Sequence, residues 1–286
     1  MSAEVEATGE AIGIISRIIG WVSHRLGRRI KIKELKRATD SDLHETAELY
    51  ERLFKEEFRV YPAELTAWLR ESSSKNQTAK SLQHCLLIAK RRGKVVALLK
   101  AMYCPISGWA FIAYFGVDKA DTVTRKIASK LLMKFFSKYV FSRWKNCRGV
   151  AFEIECCPSN ASKEQKLECN ARRRLFKDIA RHQGHHAFEV KIDYHQPLMA
   201  DAPQYRGMGR KMSLMVVLTK DCDSVQCKIE EIKRADVEAI LNFLYFNIYG
   251  MTQEIPNRRR DEYHRHLAKV YAKVSETVKD AVELEL

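Results

Sequence analysis

The stretch from Phe111 to Leu132, FIAYFGVDKADTVTRKIASKLL, runs from an apolar, aromatic-rich segment through a short polar loop into residues with helical spacing. The first backbone N–H groups of such a helix lack intrahelical partners and carry the positive end of its dipole, which suits a pyrophosphate. The turn at 124 to 129 supplies Thr124, Arg125, Lys126, Ile127, Ala128 and Ser129, with the helix expected to begin around Arg125 and its small residues letting phosphates approach. From 124 to 148 there are eight basic residues and no acidic one, so this surface favours anions. A second group lies on GVAFEIEC, residues 149 to 156, where strand alternation puts Glu153 and Glu155 on one sheet face, opposite Phe152 and Ile154. Each is either a proton acceptor or an ordinary salt-bridged strand residue. Tyr114 offers a hydroxyl to water or a thiol, or else is a hydrogen-bonded core tyrosine. His182, His185, His186 and His195 cluster along the chain, but no compact Cys/His or carboxylate spacing completes a metal site, so no metal is expected.

Positioning these residues requires a particular set of elements. Residues 31 to 37 read as a strand, and Asp40 or Ser41 can cap a helix through Ala47, Leu49, Leu53 and Phe54. Pro62 opens a second helix. HCLLIAKRRGKVVALLKAMY holds two β-rich runs joined at Arg92-Gly93 and predicts a hairpin. WAFIAYFGV (109 to 117) reads as a buried strand, 122 to 144 as a long helix, 149 to 156 as a strand, 170 to 182 as a basic helix, and 187 to 194 and 212 to 219 as further strands. This order predicts an α/β (α+β) mixed sheet with helices on both sides rather than regular β-α repeats.

Flanking segments complete the plan. Ile12, Ile15, Ile19, Val22 and Leu26 form one stripe of a short amphipathic helix, which docks on the body or a second subunit or rests on a membrane surface. KIEEIKRA (228 to 235) matches KIKELKRA (31 to 38) at six of eight positions, and each copy precedes an apolar helix, a proline and a second helix. We read a partial duplication, giving three parts: an amphipathic helical segment (1–29), a central domain (30–222) and a mostly helical partial repeat (223–286). The repeat should dock on this domain or on another chain, making a homo-oligomer a candidate assembly.

The 286 residues carry 50 Lys+Arg against 36 Asp+Glu, a formal charge of +14, and are 46% hydrophobic. That excludes wholesale disorder and favours an anionic partner without choosing among a phosphorylated cofactor, a nucleic acid and a lipid surface. No apolar run is long enough for a transmembrane helix. Eight cysteines without a C-x-x-C pair and a polar N-terminus point to a reducing cytoplasm. The runs Arg172 to Arg174 and Arg258 to Arg260 could grip phosphate, but they accompany no nucleic-acid motif.

The element order and the strand-loop-helix at 111 to 132 resemble the GNAT superfamily of acyl-CoA N-acyltransferases over about residues 30 to 220. The family's pyrophosphate pattern, Arg/Gln-x-x-Gly-x-Gly/Ala, falls on Val123 to Ala128, where Ala128 fits while Val123 and Lys126 depart from it. The resemblance implies that acetyl-CoA or another acyl-CoA binds there, that backbone near Phe115, Gly116 and Val117 meets the pantetheine arm and polarises the thioester, and that Asn170 and Leu175-Phe176 match the family's next helix. It implies direct attack by an amine on the thioester. Ile112 stands where some members carry a basic glutamate, and Phe176 has no hydroxyl to act as an acid, so Glu153 or Glu155 is the expected base. The acceptor stays open among a small molecule, a protein and an aminoacyl-RNA such as charged tRNA. A catalytically silent CoA-binding or protein-interaction module is the alternative.

Overall fold

A computed structural model describes residues 30–37, 41–54, 65–67, 69, 82–118, 122–157, 160–182, 185–198, 207–218, 232–250 and 257–278. The amphipathic segment at 11–29 and residues 228–231 of the repeat lie outside the described residues.

The hairpin forms where the two β-rich runs flank the turn signal: β2 (Gln83–Arg91) and β3 (Lys94–Cys104) meet at Arg92 and Gly93, both with positive φ. β1 (Ile30–Glu34) pairs antiparallel with β2, and β4 (Trp109–Val117) with β3. A long helix, α2 (Thr122–Arg143), crosses to β5 (Gly149–Glu155), which runs parallel to β4. β6 (His186–Val190), β7 (His195–Gln196) and β8 (Arg210–Leu218) follow, giving a mixed sheet of order β1-β2-β3-β4-β5-β8-β6 with β7 paired to β8. Where one strand had been expected over 187 to 194, the chain instead makes β6, turns, and resumes as β7.

Helices cover both faces. On one, α2 inserts Ala128, Leu132, Met133, Phe136 and Val140 against Leu87, Leu99, Ile112 and Phe152, and α3 (Lys163–His182) adds Phe176. On the other, α1 (Asp42–Leu53) lays Leu49 and Tyr50, with Leu65 and Leu69, over Leu86, Leu98 and Tyr114. The same face carries the C-terminal elements: α4 (Arg234–Asn242), a π-helix (Phe243–Tyr249) and α5 (Asn257–Ser275). These share one core with Trp109, Phe111, Ala151, Leu214 and Val216, so they form part of the sheet's cover. Both helical units linked by the sequence repeat thus lie on one face, α1 over β2–β4 and α4 with its successors over β4, β5 and β8. The repeat's strand is represented among the described residues by the single bridge residue Ile232.

α2 begins at Thr122, as its apolar spacing over 122 to 144 indicates, so the turn at 124 to 129 lies inside the helix rather than at a start near Arg125. α3 begins at Lys163, seven positions before Asn170, because Ser162 and Gln165 form a capping box: Gln165 N–H donates to Ser162 Oγ (3.2 Å) and Ser162 N–H to Gln165 Oε1 (2.9 Å).

Candidate functional site

Between β4 and β5 the sheet opens. Their parallel pairing covers Trp109–Ile112 against Gly149–Phe152 and stops there, although β4 continues to Val117 and β5 to Glu155. The cause lies on β4's other side: β3 registers Ala101 with Ile112 but Lys100 with Tyr114, so Ala113 is an extra residue in a β-bulge. A bulge bends its strand and increases local twist, which turns Ala113 to Val117 away from β5. A Cβ at Gly116 would lie 2.7 Å from Leu53 Cδ1, so α1 packs closely on the strand here and the tip of Leu53 would have to shift to admit a side chain. Phe115, Gly116 and Val117 are all half-buried along this diverging edge.

Glu153 is the first β5 residue beyond the paired stretch. The hydroxyls of Tyr194 and Tyr249 both donate to its Oε1, the latter at 2.5 Å. Burial pushes the Glu153 carboxyl up to about 7, outweighing the two phenol hydrogen bonds that pull it down. Burial and the neighbouring carboxyl push both phenols above the ordinary tyrosine value, so they remain donors at neutral pH. Tyr194 precedes β7, and Tyr249 ends the π-helix. Gln196 Nε2 donates to Tyr249 Oη at 3.4 Å, Tyr245 donates to the His195 carbonyl, and Tyr263 of α5 donates to the Tyr249 carbonyl at 3.1 Å. Tyr245 and Tyr249 are four positions apart and so lie on nearly the same side of their helical segment. β7 in turn is held close to β8 by Gly209, whose φ is +83° and whose Cβ would lie 2.1 Å from the Gln196 carbonyl oxygen.

Glu155, on the same strand face, has a different setting. Arg172 of α3 and Arg210 of β8 reach it at 2.9 and 3.1 Å. Burial tends to raise its carboxyl, but the two guanidiniums prevail and hold it below the usual glutamate range. It is the ion-paired member of the two carboxylates. Tyr114 belongs to a different cluster, an edge-on aromatic group with Tyr50 and Phe54 (ring centroids 5.0 and 5.1 Å).

On the opposite face, Phe176 packs against Phe152 (4.1 Å between centroids) and edge-on to Phe115 (5.8 Å), bridging the strands where they part. Asn170 is exposed within α3 rather than at its start. Ala128 and Ser129 are buried, in the second turn of α2, and Ile127 packs beside them. The backbone of Thr124, Arg125 and Lys126 is helical, and their side chains lie outside the described residues. Among the described residues no three His, Cys, Asp or Glu side chains group as metal ligands. Sequence reasoning missed Tyr249 and Tyr245; the aromatic density of FLYFNIY at 243 to 249 was the available signal.

No protein-family model matches the chain, and no curated protein matches it in sequence. Among solved structures it is similar to a protein of Bacteroides thetaiotaomicron assigned to the GNAT acetyltransferases, at 15% identity and TM-score 0.44 over 78% of this chain and 99% of that one. It is similar to a GNAT-family acetyltransferase of Streptococcus pneumoniae, at 13% identity and TM-score 0.43 over 67% and 99%. A third similar structure is the spermidine N-acetyltransferase of Vibrio cholerae in complex with CoA and spermine, at 13% and TM-score 0.42 over 67% and 96%.

Proposed function

We propose that the chain is an acyl-CoA-dependent N-acyltransferase of GNAT type, acting on an amine, with Glu153 as its general base. The observation that carries this reading is the position of a carboxyl with its proton affinity raised to about 7 at the point where β4 and β5 diverge. The diverging edge from Ala113 to Val117 suits the pantetheine arm of acetyl-CoA or another acyl-CoA, and the N-terminal turn of α2 suits its pyrophosphate. The acyl donor supplies a thioester carbonyl.

The chain's own residues then have these roles. An alkylamine arrives mostly as an ammonium, with a pKa of about 10, and must lose a proton before it can attack. Glu153 accepts that proton at Oε2, since among the described residues both phenols donate to Oε1. A base near pKa 7 is well matched to neutral pH, being ionised yet able to hold the proton. The amine nitrogen forms a bond to the carbonyl carbon, the carbon–sulfur bond breaks, the sulfur leaves with the electron pair, and the nitrogen releases its second proton to solvent as the neutral amide forms. With a thiol pKa of about 8.5 the departing sulfur can collect its proton from solvent, which accommodates a phenylalanine at position 176.

A panel of amines with acetyl-CoA, read by thiol release, tests the reading. Turnover by the native chain and a loss of about 10²- to 10⁴-fold in Glu153→Gln, with CoA affinity kept, is expected. Native-level turnover by Glu153→Gln would remove Glu153 as the base; no turnover together with no calorimetric binding of CoA would remove the transferase. The silent-module reading draws support from Phe176 between Phe115 and Phe152. Its signature would be CoA binding without thiol release for any amine.

A further inference from the structure

Six of the eight cysteines lie among the described residues, all as thiols. Cys85, Cys104 and Cys147 are buried apart from one another in the core, whereas the other three sit where β5 ends and α3 begins. Cys156 and Cys157 follow Glu155 directly and are half-buried; Cys169 lies in the second turn of α3 and is 7% exposed.

The thiols of Cys157 and Cys169 share a hydrogen bond. A second tie between the same two stretches of chain holds them in register: Arg172, one helical turn beyond Cys169, reaches Glu155, two residues before Cys157, at 2.9 Å. Stepping back along α3 thus matches stepping forward out of β5. Cys156 takes another direction, its Sγ lying 3.6 Å from the Oγ of Ser213 on β8, which accepts from Arg173 at 3.1 Å. The neighbouring pair is therefore Cys157 with Cys169. Thiols that touch already have converging side chains, the condition that most cysteine pairs in a fold fail. Burial and the Cys157 thiol push the Cys169 thiol up, against the pull of Arg172 and Arg173. Cys157, the more exposed of the two, is the sulfur a reagent meets first.

We infer that Cys157 and Cys169 are a modification site, a thiol pair that a small disulfide oxidises to an intrachain disulfide joining the start of α3 to the end of β5. Cys157 loses its proton and attacks one sulfur of the reagent, and the other half leaves as a thiolate that takes up a proton. Cys169 then gives up its proton and attacks the Cys157 sulfur, expelling the second half, which is protonated in turn. Two cysteine thiols lose two electrons, and one small disulfide becomes two small thiols. The pair shares no residue with the Glu153 group, so the site stands whether or not the chain transfers acyl groups.

Glutathione disulfide added to the reduced full chain, followed by alkylation of the remaining thiols and tryptic mapping by mass spectrometry, tests it. Trypsin cuts after Arg148, Lys163, Lys166 and Arg172, so the expected product is peptide 149–163 joined to peptide 167–172, split again by dithiothreitol. Cys85, Cys104 and Cys147 should stay unlinked. The same link should form in Cys156→Ser, which leaves Cys157 as the cysteine of the first peptide. In Cys169→Ser the reaction should halt at one glutathione on Cys157. The inference fails if the native chain carries glutathione without an internal link, if its thiols are all alkylated, or if Cys169 joins Cys156 or any cysteine other than Cys157. The native chain is mapped directly, so these outcomes decide even where a variant does not fold.

Discussion

Glu153 and Glu155 are two residues apart on one strand and one face, yet their surroundings drive their protons in opposite directions. Around Glu153 the neighbours are phenols, which can donate a hydrogen bond but bring no positive charge, so burial decides and the carboxyl is raised to about 7. Around Glu155 the neighbours are guanidiniums, and charge outweighs burial. The difference teaches that a strand pattern locates carboxylates without assigning their roles; what packs over them does that. The cover over Glu153 comes from the far end of the chain, through Tyr249, and the partners of Glu155 come from α3 and β8.

The sharpest break in the comparison should be in rate. Glu153→Gln keeps shape and removes the proton acceptor, so turnover of an amine should fall by about 10²- to 10⁴-fold, whereas Glu155→Gln should stay within about tenfold of native. In the native chain kcat/KM should rise with pH through about 7 as the Glu153 proton is lost. A pH profile with no inflection there, or equal losses in the two variants, would erase the functional distinction between the carboxylates.

Stability should show the next largest effect, with opposite signs of pH dependence for the two groups. The folded-state pKa of Glu153 is raised from 4.5 to about 7, so the native state holds a proton that the unfolded chain has released. Its contribution is fully present below about pH 4.5 and lost as pH rises through 7, a difference of up to about 3 kcal/mol. Glu153→Gln has no such proton, so it should match the native chain near pH 4.5 and gain on it toward pH 8. Urea unfolding at the two pH values measures this, and a constant difference between the two chains would contradict the raised carboxyl.

The contrast also marks what could be read from sequence. Apolar β-rich runs and turn chemistry locate the hairpin at Arg92-Gly93, and length and aromatic content locate β4 at Trp109 to Val117, because each is determined within a few residues. The capping box Ser162 to Gln165 is equally local, and it starts α3 ahead of the basic stretch at 170 to 182 that reads as the helix. Alternation put Glu153 and Glu155 on one face, and that is where sequence information ended. The pairing of Glu153 with Tyr249 spans 96 positions, so no pattern within a few residues of either reports it. The position of the bulge at Ala113 is defined by register against β3 rather than by any residue type.

A smaller effect should follow from thinning the phenol cover. Tyr249→Phe removes one donor to the ionised Glu153 and keeps the ring, so the carboxylate becomes harder to form. The inflection in kcat/KM should move upward from about 7 by about 0.5 to 1 pH unit, the effect of one charge-assisted hydrogen bond. Gln196→Ala, which touches Tyr249 Oη only at 3.4 Å, should move it less. An unmoved inflection in Tyr249→Phe would mean that the phenol positions the carboxyl without tuning it.

The smallest effect belongs to Glu155. Its side chain is 38% exposed and those of Arg172 and Arg210 are 46% and 39% exposed, so solvent screens both ion pairs. The folded-state pKa is depressed, so its stabilisation is present above the unfolded value near 4.5 and lost as pH falls through the lower folded value. Because the pairs are exposed, Glu155→Gln should cost only about 0.5 to 1 kcal/mol at pH 7, and less below pH 4 and in molar salt. Urea unfolding at low and high salt checks it. A cost well above this, insensitive to salt, would mean that α3 is anchored to the end of β5 chiefly through Glu155, and the two carboxylates would then differ less in structural weight than their environments indicate.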